Sequence, residues 1–282
     1  MEAKIEAQVV PKTVVVGVDA RDVFVLVLVP GSLVDAEICG RTSTEWVDSA
    51  IAGFTHRKQQ IQKNDDIMTI VKNSVIDKKY CLVVYADTPL LTRESIDQTL
   101  SFAATYDFKA VQMPRGWVFE TEHIKKATNI EPMKIPNLPD EDFIVAYNYS
   151  QVALIGTYAR ERINSAHMAA GVNLADPYST YIDADVKIGK GTRVGPGVVL
   201  TGESVIGKNC RIGCGVVFES FDGADKHPIT LGNDVFLGAK SVLVGPLMVG
   251  DKTHIAAGST IYQDVPANSY AMSRARQAVK EI

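Results

Sequence analysis

The C-terminal part of the chain keeps a strict six-residue rhythm, and few folds can carry it. Aliphatic or aromatic residues fall at Ile182, Ile188, Val194, Leu200, Ile206, Ile212 and Phe218, then again at Leu231, Leu237, Leu243, Val249, Ile255 and Ile261. Glycine often comes next, at Gly189, Gly195, Gly207, Gly213, Gly232, Gly238 and Gly250. No 3.6-residue periodicity runs through this region, and its glycine density argues against helix. A six-residue period predicts a hexapeptide solenoid, in which three hexads close one triangular coil. Each anchor points inward and stacks on its equivalent in the next coil. The turns between anchors take Gly, Asn and Asp because these accept positive φ. One coil cannot bury its own apolar face, so the stack supplies the core. Residues 182–264 hold ~four such coils.

The rhythm breaks once, at ESFDGADK (219–226). Phe218 and Leu231 are thirteen residues apart, one more than two hexads. The extra length in 219–230 is expected to leave the stack as a loop while the flanking coils keep register. Loops that interrupt a rigid scaffold tend to carry binding residues; the alternative is a tolerated bulge without function.

The first half has a different grammar. Residues 1–160 contain six glycines and residues 161–282 contain fifteen. TVVVGV (13–18), VFVLVLV (23–29) and YCLVVYA (80–86) read as buried strands. STEWVDSAIAGF (43–54) and TRESIDQTLSFAATY (92–106) read as helices, the second with Thr92 as N-cap. Three prolines make 129–141 a loop. Strands alternating with helices predict an α/β domain with a mostly parallel sheet over residues 1–165, followed by a β-helix domain over 166–282.

Composition narrows the function. The chain of 282 residues is 46% hydrophobic and 22% charged, with a formal charge of −4, so neither nucleic acid nor an acidic membrane surface is expected as a partner. The run Val23 to Pro30 is too short to span a bilayer. The start, MEAKIEAQVVPK, is acidic and lacks the apolar core of a signal peptide, which predicts a cytoplasmic protein. Cys39, Cys81, Cys210 and Cys214 are then expected as free thiols, and Cys210 and Cys214 have no nearby Cys/His pair to complete a zinc site.

ESFDGADK, LGNDVFLGAK, VGPLMVG, IAAGSTI and MSRARQ together resemble the bifunctional bacterial N-acetylglucosamine-1-phosphate uridyltransferase / glucosamine-1-phosphate N-acetyltransferase family, in a shortened and degenerate form. The resemblance covers roughly 171–280, and includes GVNLADP (171–177) at the entry to that family's left-handed parallel β-helix. It implies that Lys226 contacts the acceptor, that Ser220, Phe221, Ala239 and Ala257 line the acceptor and coenzyme site, and that Arg274 binds the coenzyme. A fainter likeness covers the first half. ICGRTSTEWVDSAI (38–51) resembles the segment after the family's nucleotide loop. YADTPLLTRESIDQTL (85–100) and VAYNYSQVALI (145–155) resemble its magnesium-binding segments, the second taken as a strand. Asp87 and Asn148 are then the implied Mg2+ ligands, although an Asp at a strand end also caps turns.

The departures bear on chemistry. Uridylyl transfer needs a glycine-rich loop whose N–H groups approach a triphosphate. LVPGSLVDAEICGR (28–41) lacks a glycine-rich run and adds Asp35 and Glu37, and QIQKNDDIMTI (60–70) has no glycine. Acetyl transfer to an amine needs a base near neutral pKa. The family's catalytic-histidine coil has no counterpart here, which leaves His227 beside the loop, or His254 in a late hexad.

Three functions stay open: an acyltransferase of amino-sugar metabolism using acetyl-CoA, with His227 as base; a sugar-phosphate uridylyltransferase; or a non-catalytic binding or regulatory protein. The resemblance implies a homotrimer with sites between neighbouring copies, acting on a small molecule such as an amino sugar phosphate or a nucleotide sugar.

Overall fold

The structure is a computed structural model and describes residues 16–31, 33–128 and 130–275. The segment read for a signal peptide and the first three residues of the strand expected at 13–18 lie outside these, as does Arg276; Val16–Val18 run as irregular chain. The chain divides into two compact units. One comprises the described residues up to Ala36 together with Thr42–Val152, and the other Glu37–Arg41 together with the described residues from Ala153 onward.

The first unit is α/β. In chain order it contains β1 (Val23–Val29), α1 (Ser43–Ala50), β2 (Thr55–Gln60), α2 (Ile67–Ser74), β3 (Tyr80–Tyr85), α3 (Arg93–Thr105), β4 (Ala110–Met113), β5 (Gly116–Glu120) and α4 (Thr121–Lys126). The sheet order is β2-β1-β3-β5-β4, closed by a short strand at Met133–Lys134. β1 pairs in parallel with β2 and β3, whereas β5 runs antiparallel to β3 and β4. All seven residues of β1 are buried, as expected of a central strand covered on both faces. β2 is the opposite, a polar edge strand (THRKQQ) exposed at every position, which carries no apolar signal in the sequence. Thr42 closes a capping box with Glu45 at the start of α1, and Thr92 accepts the Ser95 N–H at the start of α3.

VAYNYSQVALI is not a strand. It enters α5 (Tyr149–Ala169). Asn148 Oδ1 accepts the Gln151 N–H at 3.0 Å, which satisfies one orphan donor of the first turn, and Gln151 Oε1 reaches back to accept the Tyr147 N–H at 2.9 Å.

The second unit is a parallel β-helix with three faces. Face one stacks the strands at 181–182, 199–200, 217–219, 242–244 and 260–261; face two those at 187–188, 205–206, 229–231 and 247–249. Face three stacks those at 173–174, 193–194, 211–212, 236–237, 254–255 and 270–271. All thirteen anchors lie in one interior cluster, twelve of them buried and Ile188 half-buried. The corners demand small residues. A Cβ on Gly238 would meet the Ala257 nitrogen at 2.3 Å. The excursion is longer than a hexad count suggests. Ile206 pairs with Leu231, 25 residues on, where Ile188 pairs with Ile206, 18 on, so the loop carries seven extra residues rather than one.

Candidate functional site

The excursion leaves the corner between faces one and two, after Glu219, and rejoins at Ile229. It is internally braced. Phe221 and Lys226 form an antiparallel bridge. Asp222 Oδ1 accepts the N–H groups of Ala224 and Asp225, each at 2.8 Å. Its other oxygen, Oδ2, lies 2.7 Å from His227 Nε2. The Asp225 N–H, the His227 ring and the Ala224 N–H together hold the Asp222 carboxyl well below the usual carboxylate range. An ionised Asp222 accepts a hydrogen bond from the Nε2–H, the tautomer that leaves the Nδ1 lone pair open. Sequence reasoning singled out His227 but missed this orienting carboxylate; the five-residue Asp-to-His spacing across a tight loop was its signal.

Lys226 Nζ lies 2.6 Å from Glu37 Oε1 and 3.3 Å from the Gly40 carbonyl oxygen. Glu37 belongs to a short segment fixed on the same corner. Arg41 pairs with the Asp185 carboxylate, Nε to Oδ2 at 2.9 Å, and the Ala184 N–H donates to the Cys39 carbonyl at 2.9 Å. Half-burial raises the Asp183 carboxyl, against the Gly202 N–H and Lys226, which lower it; Glu37 and Asp185 raise it further. Of the other residues expected here, Phe221 is exposed, while Ser220 is buried with its hydroxyl 2.8 Å from Thr201 Oγ1, inside the corner.

Ala239, Ala257 and Arg274 come together elsewhere, on the corner between faces three and one. Ala239 and Ala257 are exposed on successive turns, where the Gly258 N–H donates to the Ala239 carbonyl at 2.9 Å. Arg274 Nη1 donates to the Ala257 carbonyl at 3.0 Å. Cys214 is exposed one turn earlier on the same corner, its carbonyl accepting the Lys240 N–H at 2.9 Å. The expected site residues thus form two groups on corners that flank face one. His254 lies in neither; it is exposed on face three and stacked on Phe236 at 5.6 Å between centroids.

In the α/β unit Asp87 is 1% exposed, and both its carboxylate oxygens receive the Arg115 guanidinium, Nε at 2.8 Å and Nη2 at 2.6 Å. The Ala146 N–H donates to the Asp87 carbonyl at 3.4 Å, which brings the Asn148 segment alongside. Asn148 is exposed and its Oδ1 serves the first turn of α5. This pair does not fit a magnesium ion: the one carboxylate is spent on a guanidinium and the one amide oxygen on a helix start. Among the described residues no group of three or more His, Cys, Asp or Glu is placed to hold a metal, and no helix is long and apolar enough to cross a membrane. The four cysteines are free thiols.

Fold and repeat define a hexapeptide-repeat β-helix joined to an α/β unit. Residues 185–220 match the family model described as bacterial transferase hexapeptide (six repeats), and 228–263 match the hexapeptide repeat of succinyl-transferase. Among curated proteins the chain is similar to the bifunctional protein GlmU of Latilactobacillus sakei, at 29% identity over 56% of this chain and 52% of that one. It is similar also to GlmU of Acinetobacter baylyi, at 33% over 60% and 35%, and to GlmU of Caldicellulosiruptor saccharolyticus, at 38% over 45% and 26%. The chain spans about half the length of these relatives or less. A solved hexapeptide-repeat acetyltransferase from Vibrio cholerae overlaps 44% of this chain and 91% of its own, at 19% identity and a TM-score of 0.37.

Proposed function

We propose that the β-helix unit is an acyl-CoA-dependent N-acetyltransferase acting on a phosphorylated amino sugar, with each site made by two copies of the chain in a homotrimer. The observation that carries this reading is the His227–Asp222 pair at 2.7 Å, beside Lys226 on the one loop that leaves the stack. A base oriented by a carboxylate, with a cation next to it, suits removal of a proton from an amine whose molecule carries an anion.

In this reading His227 Nδ1 takes a proton from the acceptor amine as its nitrogen attacks the thioester carbonyl. The C–N bond forms, the C–S bond breaks, and the proton passes to the departing thiolate. Lys226 turns from Glu37 to the acceptor's phosphate. Ala239 and Ala257 let the coenzyme lie close against exposed turns, and Arg274 meets its phosphates. Phe221 contributes an apolar face to the acceptor. Ser220 supports the corner from inside.

The positions of the two groups support a shared site. Loop and coenzyme corner flank the same face of one copy, and that face turns Val199, Val217 and Val242 outward, half-buried. A threefold packing that covers this stripe sets the loop of one copy toward the coenzyme corner of the next.

The test is thiol release from acetyl-CoA with glucosamine 1-phosphate as acceptor. The reading expects turnover that disappears in His227→Ala. Acetyl-CoA binding without thiol release for any amino sugar phosphate points instead to a binding or regulatory protein on the same scaffold.

A further inference from the structure

The α/β unit holds a built cation at the carboxyl ends of its parallel strands, the edge where open α/β sheets take their ligands. Asp87 follows β3 directly, and Arg115 sits in the turn between β4 and β5. That turn is pressed onto β3. Gly116 has φ +134°, and a Cβ there would meet the Val83 carbonyl oxygen at 2.4 Å. Only glycine lets the hairpin approach so closely, and the approach is what sets Arg115 over Asp87.

A guanidinium has two edges that can each grip an oxyanion with a pair of N–H groups. Asp87 takes the Nε/Nη2 edge, and the plane lies over the Tyr85 ring, its carbon 4.0 Å from the centroid. The Nη1/Nη2 edge remains. The side chain keeps 25% of its surface exposed against 1% for Asp87, so solvent reaches Arg115 while its buttress is buried. A guanidinium fixed on one side by a carboxylate and on one face by a ring has little freedom left to lose when it meets a second anion.

We propose that Arg115 stands in for a divalent cation, so that the Asp87–Arg115 pair makes the α/β unit a metal-free receptor for the phosphate group of a small molecule. This is independent of acetyl transfer in the β-helix unit.

The full chain is titrated by calorimetry in EDTA with orthophosphate and, separately, glucose 1-phosphate, and by electron paramagnetic resonance with MnCl2 alone. Binding of one or both anions in EDTA is expected, weakened at least tenfold in Arg115→Lys, which keeps the charge but loses the fork. Equal affinities identify the phosphate group alone as the ligand, and tighter glucose 1-phosphate identifies a sugar ester. The wild-type chain is expected to bind no Mn2+ at a site that Asp87→Asn removes. Anion binding that requires Mg2+, no anion binding at all, anion binding indifferent to Arg115→Lys, or a Mn2+ site lost in Asp87→Asn overturns the proposal. The Mn2+ comparison needs no change at Arg115, so it stands even where an Arg115 variant folds poorly.

Discussion

The Lys226 ammonium is held 2.6 Å from the Glu37 carboxylate, within a corner that Arg41 and Asp185 fasten. Both partners are largely exposed, and an exposed pair of this kind is worth about 0–1 kcal/mol. It is therefore a weak competitor for an anionic acceptor. Glu37→Gln should lower KM for the acceptor by up to about fivefold and leave kcat unchanged. A KM that rises, or a fall in kcat alone, contradicts this role for the pair.

Asp222 orients His227 rather than touching substrate. His227→Ala should cost about 10²–10⁴-fold in kcat. Asp222→Asn should cost less, because it loosens the ring without removing the base. Stopped-flow thiol release checks both. An unchanged kcat in Asp222→Asn removes the carboxylate from the mechanism.

At Gly238 the corner is closed too tightly for an added carbon. Gly238→Ala places a methyl against the Ala257 backbone and should destabilise the β-helix by about 1–3 kcal/mol, lowering the urea midpoint. Phe218, fully buried at the last anchor before the loop, should cost about 3–5 kcal/mol as alanine. If Gly238→Ala unfolds at the wild-type midpoint, the close approach is not real.

Buried thiols set an alkaline limit. Burial pushes Cys81 from an ordinary 9.0 up to about 12. Cys39 is pushed up to about 11, by burial and by the charge of Asp183. The folded chain keeps these protons where the unfolded chain loses them. The stability they contribute is fully present below pH 9 and falls as pH rises from there toward 11 and 12. Denaturant midpoints between pH 8 and 11 should decline, less steeply in Cys81→Ala. At pH 8, iodoacetamide should label Cys214 first, since it alone of the four is exposed; intact mass and peptide mapping read this.

How much of this was legible beforehand depended on how local the signal was. The hexads were readable because each anchor repeats one environment, so a single rule predicts thirteen residues. β1 and β3 were readable because a strand buried on both faces must be continuously apolar. β2 was not, since THRKQQ owes its strand to pairing with β1 and not to its own pattern. The start of α5 was misread because VAYNYSQVALI was matched to a strand of the resembled family; the Asn148-x-x-Gln151 spacing, with Asn148 Oδ1 accepting the Gln151 N–H, marks a helix start instead. Asp222, five residues before His227, was within reach of the sequence, but the partners of Lys226 and Asp87 were not. Nothing in sequence distance links Lys226 to Glu37 or Asp87 to Arg115, because the coils and the β4–β5 hairpin bring them together.

The shared site is tested most directly by mixing two defective chains. His227→Ala lacks the base and Arg274→Ala lacks the coenzyme contact, so each alone should be inactive. After co-refolding in equal amounts, random trimers join an intact loop to an intact coenzyme corner at about a quarter of their sites. Thiol release at about a quarter of the wild-type rate is the predicted result. A mixture as inactive as its components contradicts a site built from two copies.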